Sequence, residues 1–296
     1  MSLTRTLNRA LAATTGLQVR RVPRPAPTRP GTGTARSGQR TAPAYRCPSP
    51  EDLPAERLLR QPVFIISSVR SGSTLLRMML GAHSRLHAPH ELHLRHLRVD
   101  HGDAVARNAM TALGLARGDL EHLLWDRVLH RELVRSGKDV IVEKTPGNAF
   151  VHQRLKDCWP DARFVFLLRH PESVARSWHE SDPVKRPYPA AVAEALRYLE
   201  AVEAARTAVP GGHTVRYEDI TAAPEEQMRR LCAFLGVDYE PGMLRYGGKG
   251  GGKPVRGLGD WRETIRTGEV RPGRPLPEPG EIAEALRPMC RTWGYL

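Results

Sequence analysis

Residues Pro62 to Leu80 constrain this chain more than any other stretch. Val63 to Ile66 is a short β-branched and aromatic run, suited to a strand covered on both faces. Ser67 to Thr74 is small and polar, with one glycine. Leu75, Leu76, Met78, Met79 and Leu80 then give a strongly apolar helix. A tight polar loop between a buried strand and a helix aims free backbone N–H groups at one point, and so forms an anion site. Arg70 adds a charge; Ser71, Ser73 and Thr74 add hydroxyls. Phosphate is the expected guest, against the alternative of an ordinary strand-to-helix turn. The Gly-Lys-Ser/Thr ending of a nucleoside-triphosphatase loop is missing.

The 296 residues allow one α/β domain plus extensions. Forty-five Lys and Arg against 32 Asp and Glu leave a net charge of +13, which suits an anionic partner without choosing one. Cys47, Cys158, Cys232 and Cys290 are far apart and form no C-x-x-C pair, as expected for reduced thiols. The histidines show no metal-binding spacing. No apolar run approaches the roughly 20 residues of a membrane span, and no secretory leader is visible, so the expected compartment is the cytoplasm.

Residues 1–58 read as a basic, Pro-rich, largely disordered extension. Leu3, Leu7, Leu11 and Leu17 alternate with arginines, so a short amphipathic helix over 3–18 with weak membrane contact is one expectation. The domain proper is expected over 59–296. There, Asp139–Val142, Arg163–Leu168 and Thr214–Tyr217 read as further strands, each followed by a polar loop. Helical periodicity occupies 104–135, 149–158, 171–180, 190–208, 224–235 and 281–292. Strands alternating with helices predict a P-loop-NTPase-like, three-layer αβα fold with a central, mostly parallel sheet. Ligands of such sheets sit beyond the carboxyl ends of the strands. That places the opening loop, Glu143-Lys144, Arg169 and Tyr217-Glu218 around one cleft.

Three segments resemble the sulfotransferases that use 3′-phosphoadenosine 5′-phosphosulfate (PAPS). Val69 to Leu76 is similar to that family's 5′-phosphosulfate loop. Phe164 to Ser177 is similar to its 3′-phosphate segment, a strand ending in Arg followed by a helix carrying Ser. Gly259-Asp260-Trp261-Arg262 through Trp293-Gly294-Tyr295 is similar to its C-terminal pattern. The match runs from about 60 to 296 in order, with some likeness to the tyrosylprotein and carbohydrate branch.

The resemblance implies a cytoplasmic enzyme moving a sulfuryl group from PAPS to a hydroxyl. Arg70, Ser71, Gly72, Ser73, Thr74 and Leu75 would hold the 5′-phosphosulfate, Arg169 and Ser177 the 3′-phosphate, and Tyr217 the nucleotide. A planar cation and a hydroxyl eight residues apart suit one phosphate. Lys144 would stabilise charge on the bridging oxygen, beside Arg70. The acceptor must lose a proton; Glu91 is the candidate base, with His87, His90, His93 and His96 crowding it. Gly247 to Arg256 occupies the place of a cofactor-covering loop, with Lys253 as the expected contact and Lys249 the alternative. Sulfuryl transfer moves less charge than γ-phosphoryl transfer, so no metal is expected. The acceptor stays open among small molecules, carbohydrates and peptides. Rival readings are a P-loop small-molecule kinase and a non-enzymatic basic nucleic-acid-binding protein; no specific nucleic-acid motif is present.

Overall fold

The computed structural model describes residues 57–247 and 267–296, all within one compact unit, Tyr45–Leu296. The helix expected over 3–18, Cys47, Lys249, Lys253 and Trp261 lie outside the described residues.

The chain enters the sheet as β1 (Val63–Ser67), turns through the polar loop, and runs into helix α1 (Ser73–Gly81). A two-residue strand β2 (Leu86–His87) and a 3₁₀ turn (Leu94–His96) follow. Helices α2 (Ala104–Ala112) and α3 (Arg117–Ser136) come next. Then β3 (Val140–Glu143) leads through a 3₁₀ turn (Pro146–Val151) into α4 (His152–Cys158). Strand β4 (Arg163–Leu168) precedes α5 (Pro171–Ser181) and α6 (Tyr188–Ala208). Strand β5 (His213–Arg216) precedes α7 (Tyr217–Ala222) and α8 (Pro224–Leu235). Two 3₁₀ turns and α9 (Arg287–Thr292) close the chain.

The strand order is β2-β3-β1-β4-β5 and all four pairings are parallel. The sequence of β1 explains its central place. All five of its residues are buried, and its side chains alternate between two cores. Phe64 and Ile66 join Trp125, Leu129, Phe164, Phe166 and Leu199 on one face. Val63 and Ile65 join Leu76, Met79, Val165, Leu167 and Leu231 on the other. These are the three layers the sequence predicts, with α1, α7 and α8 on one face and α3 to α6 on the other.

Several boundaries differ from expectation for identifiable reasons. The periodic run over 104–135 is two helices, separated near Gly114, whose φ of 74° is left-handed. The closing helix begins only at Arg287, because Pro288 is accepted in a first turn and not in a helix interior. Tyr217 was expected to end a strand; β5 stops at Arg216 and Tyr217 opens α7. Cys158, Cys232 and Cys290 are free and buried, and burial pushes their thiols well up. Among the described residues no helix is long and apolar enough to cross a membrane.

Candidate active site

The polar residues converge where β1, β3, β4 and β5 end. The order of the strands matters: β1 is flanked by β3 and β4, so its loop receives side chains from both sides.

On the β4 side, the loop before α1 takes an unusual backbone path. Arg70 has φ 60° and Gly72 has φ 84°, both left-handed. Gly72 is required there twice over. A Cβ on it would come within 2.3 Å of Tyr217 Cδ2. Gly72 is the N-cap of α1, and no side chain caps that helix; its carbonyl accepts from Leu76 N–H at 3.2 Å. The first-turn N–H groups of Ser73, Thr74 and Leu75 are therefore presented at a helix N-terminus, as an anion cradle needs. Ser68 and Ser71 pair through their hydroxyls beneath the loop.

Arg70 and Arg169 interlock. Arg169 Nη1 donates to the Arg70 carbonyl at 2.7 Å, and Arg70 Nε donates to Ser177 Oγ at 3.3 Å. The Arg169 guanidinium lies 4.4 Å over the Tyr217 ring. Arg70, Arg169, Ser177 and Tyr217 are thus brought together, and Arg70 reaches the hydroxyl expected at the other phosphate. Arg169 and Tyr217 also line a cavity of about 350 Å³, with Ser173, Thr221, Gly273 and Leu276. Lys253, expected at this cleft, lies outside the described residues.

Behind this wall, Glu218 accepts from His170 N–H at 3.0 Å and from the Tyr295 hydroxyl at 2.7 Å. Glu218 therefore pins the turn after β4 to the start of α7, and the Tyr295 hydroxyl holds its other oxygen. Burial and the facing Glu218 push the Tyr295 hydroxyl far up, so it stays a donor.

On the β3 side, Lys144 is 1 % exposed and its Nζ donates to Glu91 Oε1. The sequence gives the two residues opposite roles; the structure makes them partners. The neighbouring Glu143 does not take the lysine. Glu143 is fully buried and accepts from Thr145 Oγ1 at 2.6 Å, from Asn148 Nδ2, and from Leu92 N–H at 3.3 Å. Burial lowers Lys144 below the ordinary lysine value, against the pull of Glu91. Burial raises Glu143 above the ordinary carboxyl value, against its three donors. Of the crowded histidines, His93 alone meets the Glu91 carboxylate, with Nε2 3.4 Å from Oε2. His87 turns to Glu132, and His90 Nδ1 meets the Glu91 carbonyl.

Sequence reasoning missed Arg77, and it placed Glu143 at the cleft without giving it a role. Arg77 is 4 % exposed and donates through Nη1 to the carbonyls of Ala88 (3.0 Å) and Pro89 (3.3 Å). Its signal was present: it is the one charged residue in an otherwise apolar helix. Glu143 carried a similar signal, an acid closing a buried strand.

A five-stranded parallel sheet with helices on both faces, and with polar loops gathered at its strand ends, defines a three-layer α/β protein with a P-loop-like fold. The family model described as "Sulfotransferase family" matches residues 62–241, and the chain belongs to the sulfotransferase family. It is 30% identical over 218 residues to the nodulation protein NoeE of Sinorhizobium fredii (strain NBRC 101917 / NGR234). That match covers 62% of this chain and 52% of NoeE, so the chain spans about half the length of the curated relative it matches. Two solved structures share the fold. The sulfotransferase domain from the curacin biosynthetic pathway superposes with a TM-score of 0.58 at 23% identity, covering 80% of this chain and 99% of that one. The sulfotransferase domain from the Synechococcus PCC 7002 olefin synthase gives 0.52 at 23% identity, covering 80% and 97%. The kinase and nucleic-acid readings gain nothing from these matches.

Proposed function

We propose that this chain, through its 59–296 domain, is a sulfotransferase that moves a sulfuryl group from PAPS to an acceptor hydroxyl. One observation carries the reading. A buried lysine and a carboxylate meet at the end of β3, across β1 from the Arg70–Arg169–Ser177 cluster. Acid–base chemistry and a second anion subsite thus flank one helix N-terminus.

The residues present fit the nucleotide. The loop from Ser71 and the uncapped first turn of α1, Ser73 to Leu75, suit a 5′-phosphate. Arg169 and Ser177 suit a 3′-phosphate, and Tyr217 offers a ring face at the cavity beside them. PAPS supplies a sulfur already bonded to a good leaving phosphate. Glu91 takes the proton of the acceptor hydroxyl as its oxygen bonds to sulfur and the sulfur–phosphate oxygen bond breaks. Lys144 and Arg70 stabilise the charge that develops on the departing oxygen. The products are a sulfate ester and adenosine 3′,5′-bisphosphate. Lys144 must turn from Glu91 toward the leaving group, so their pairing belongs to the resting site. No step calls for a metal ion.

The test incubates the protein with radiolabelled PAPS and a panel of hydroxyl acceptors drawn from carbohydrates, peptides and small molecules, with and without strong chelator. Label transfer unaffected by chelator supports the reading. Transfer to none, together with a melting temperature unmoved by adenosine 3′,5′-bisphosphate, overturns it. Stabilisation by ATP–magnesium alone would restore the kinase reading.

A further inference from the structure

We propose that Arg77 and Glu143 form a main-chain clamp that fixes the position of Glu91, and that neither touches the reacting groups. The role of Glu91 rests on the function proposed above; the clamp itself rests on contacts alone.

The segment after β2 has little regular structure to hold it: between His87 and the 3₁₀ turn at Leu94 there is no helix or strand. Backbone groups in such a segment need partners from elsewhere. Here they come from two buried ionic side chains of opposite sign. Ahead of Glu91, the Arg77 guanidinium takes the carbonyls of Ala88 and Pro89. Behind Glu91, the Glu143 carboxylate takes Leu92 N–H, and Thr145 Oγ1, itself donating to Glu143, takes His93 N–H at 3.2 Å. The cation holds acceptors and the anion holds donors. Between the anchor points lie only His90 and Glu91.

This is an expensive way merely to satisfy four backbone groups. Burying an ionic side chain costs far more than burying a neutral amide or hydroxyl that makes the same bonds. The charges make sense where the segment carries a group that must be placed within a fraction of an ångström. Arg77 is on α1, whose N-terminus forms the anion cradle, and Glu143 is joined to Lys144. The clamp therefore ties Glu91 to the rigid elements that bear the other candidate catalytic groups. His93 shows the tension: its φ of 50° is left-handed, and that turn brings its ring to Glu91.

The experiment uses the full chain and four substitutions: Arg77→Lys, Arg77→Met, Glu143→Gln and Thr145→Val. Amide hydrogen exchange reads the clamp without turnover. Glu143→Gln should speed exchange at Leu92 and His93 about tenfold or more, and Thr145→Val should do so at His93, with β1 amides unchanged. In the transfer assay kcat should fall about 10- to 100-fold, the scale of a misplaced catalytic group. Affinity for adenosine 3′,5′-bisphosphate should stay within about twofold, and Arg77→Lys should keep more activity than Arg77→Met. Unchanged exchange at Leu92 and His93 overturns the clamp. So does a loss of nucleotide affinity in step with kcat, which would mark general loosening. If Glu143→Gln fails to fold, Thr145→Val decides alone on His93 exchange. A wild-type protein that transfers nothing, with variants that still show the local exchange changes, would sink the proposed function and leave the clamp standing.

Discussion

Tyr217 and Gly72 occupy the same space to the limit that atoms allow: a Cβ built on Gly72 would come 2.3 Å from Cδ2 of the tyrosine ring. The ring in turn carries Arg169 on its face. The loop before α1 therefore depends on a residue 145 positions later in the sequence.

Gly72→Ala adds a methyl at a left-handed φ and drives it into that ring. Strain of this kind costs on the order of 1–3 kcal/mol. The variant should melt lower than the wild type and lose most of the stabilisation that adenosine 3′,5′-bisphosphate confers. A melting series with and without the nucleotide measures both. Retained nucleotide stabilisation would show that the Tyr217 contact has no part in binding.

Lys144→Ala should lower kcat by a factor of about 10² to 10³, the usual cost of removing one preorganised donor, with little change in nucleotide affinity. The pH profile gives a second handle. Burial lowers the lysine below its ordinary 10.5, and the ammonium is present only below its own pKa. Activity should thus fail as pH rises through a value under 10.5. Lys144→Arg, charged throughout, should move that alkaline limb upward if it retains turnover.

Glu91→Gln keeps the shape at the end of the Lys144 side chain and removes the proton acceptor. Its kcat should fall about 10²- to 10⁴-fold, while adenosine 3′,5′-bisphosphate still raises the melting temperature. Near-normal turnover would transfer the base role to a neighbour, His93 first.

Two buried carboxylates should respond to pH with opposite signs. Glu121 is 2 % exposed and meets Arg98, Arg117 and Arg154. Burial pushes it up, but the Arg154 bond, the Val99 N–H and the charges of Arg154 and Arg98 win, so it sits below the ordinary carboxyl value. Its stabilisation is complete above the ordinary carboxyl value and is lost as pH falls through the lowered one. Glu143 is raised, so the folded protein binds its proton more tightly than the unfolded chain does. Stability therefore falls as pH rises from 4.5 through that raised value. Melting curves against pH should show the deficit of Glu121→Gln shrinking toward acid. The deficit of Glu143→Gln should shrink toward neutral pH.

The legible parts of the sequence were those where one segment carries its own signal. Residues 62–80 show a buried run, a polar break and an apolar helix in immediate succession, and this switch in pattern fixes β1, its loop and α1. Arg169 and Ser177 could be named as a pair because the strand end and the helix after it are contiguous in the chain, and in the structure both meet Arg70. The region from His83 to Arg98 was not. Its one strand has two residues, too few for any periodicity. Glu91 could be named from the sequence, but its partner is 53 residues away and its supports sit at Arg77 and Glu143. Such bonds depend on β3 lying beside β1, and no local pattern announces that order. Lys144 was placed at the cleft for its position after a strand, yet its pairing with Glu91 and not with adjacent Glu143 follows from burial, which only the packed structure supplies.

The central position of β1 divides labour between the two flanks of the sheet. The Arg70, Arg169, Ser177 and Tyr217 cluster hangs from the ends of β1, β4 and β5, while Glu91, Lys144 and their supports hang from β2, β3 and the segment between α1 and α2. The two groups of side chains come from different elements, and α1 serves both, through the loop before it on one side and Arg77 on the other. Such a layout is evolvable by halves: under the proposed function, acceptor preference can drift along the β3 side while the donor's seat is inherited intact.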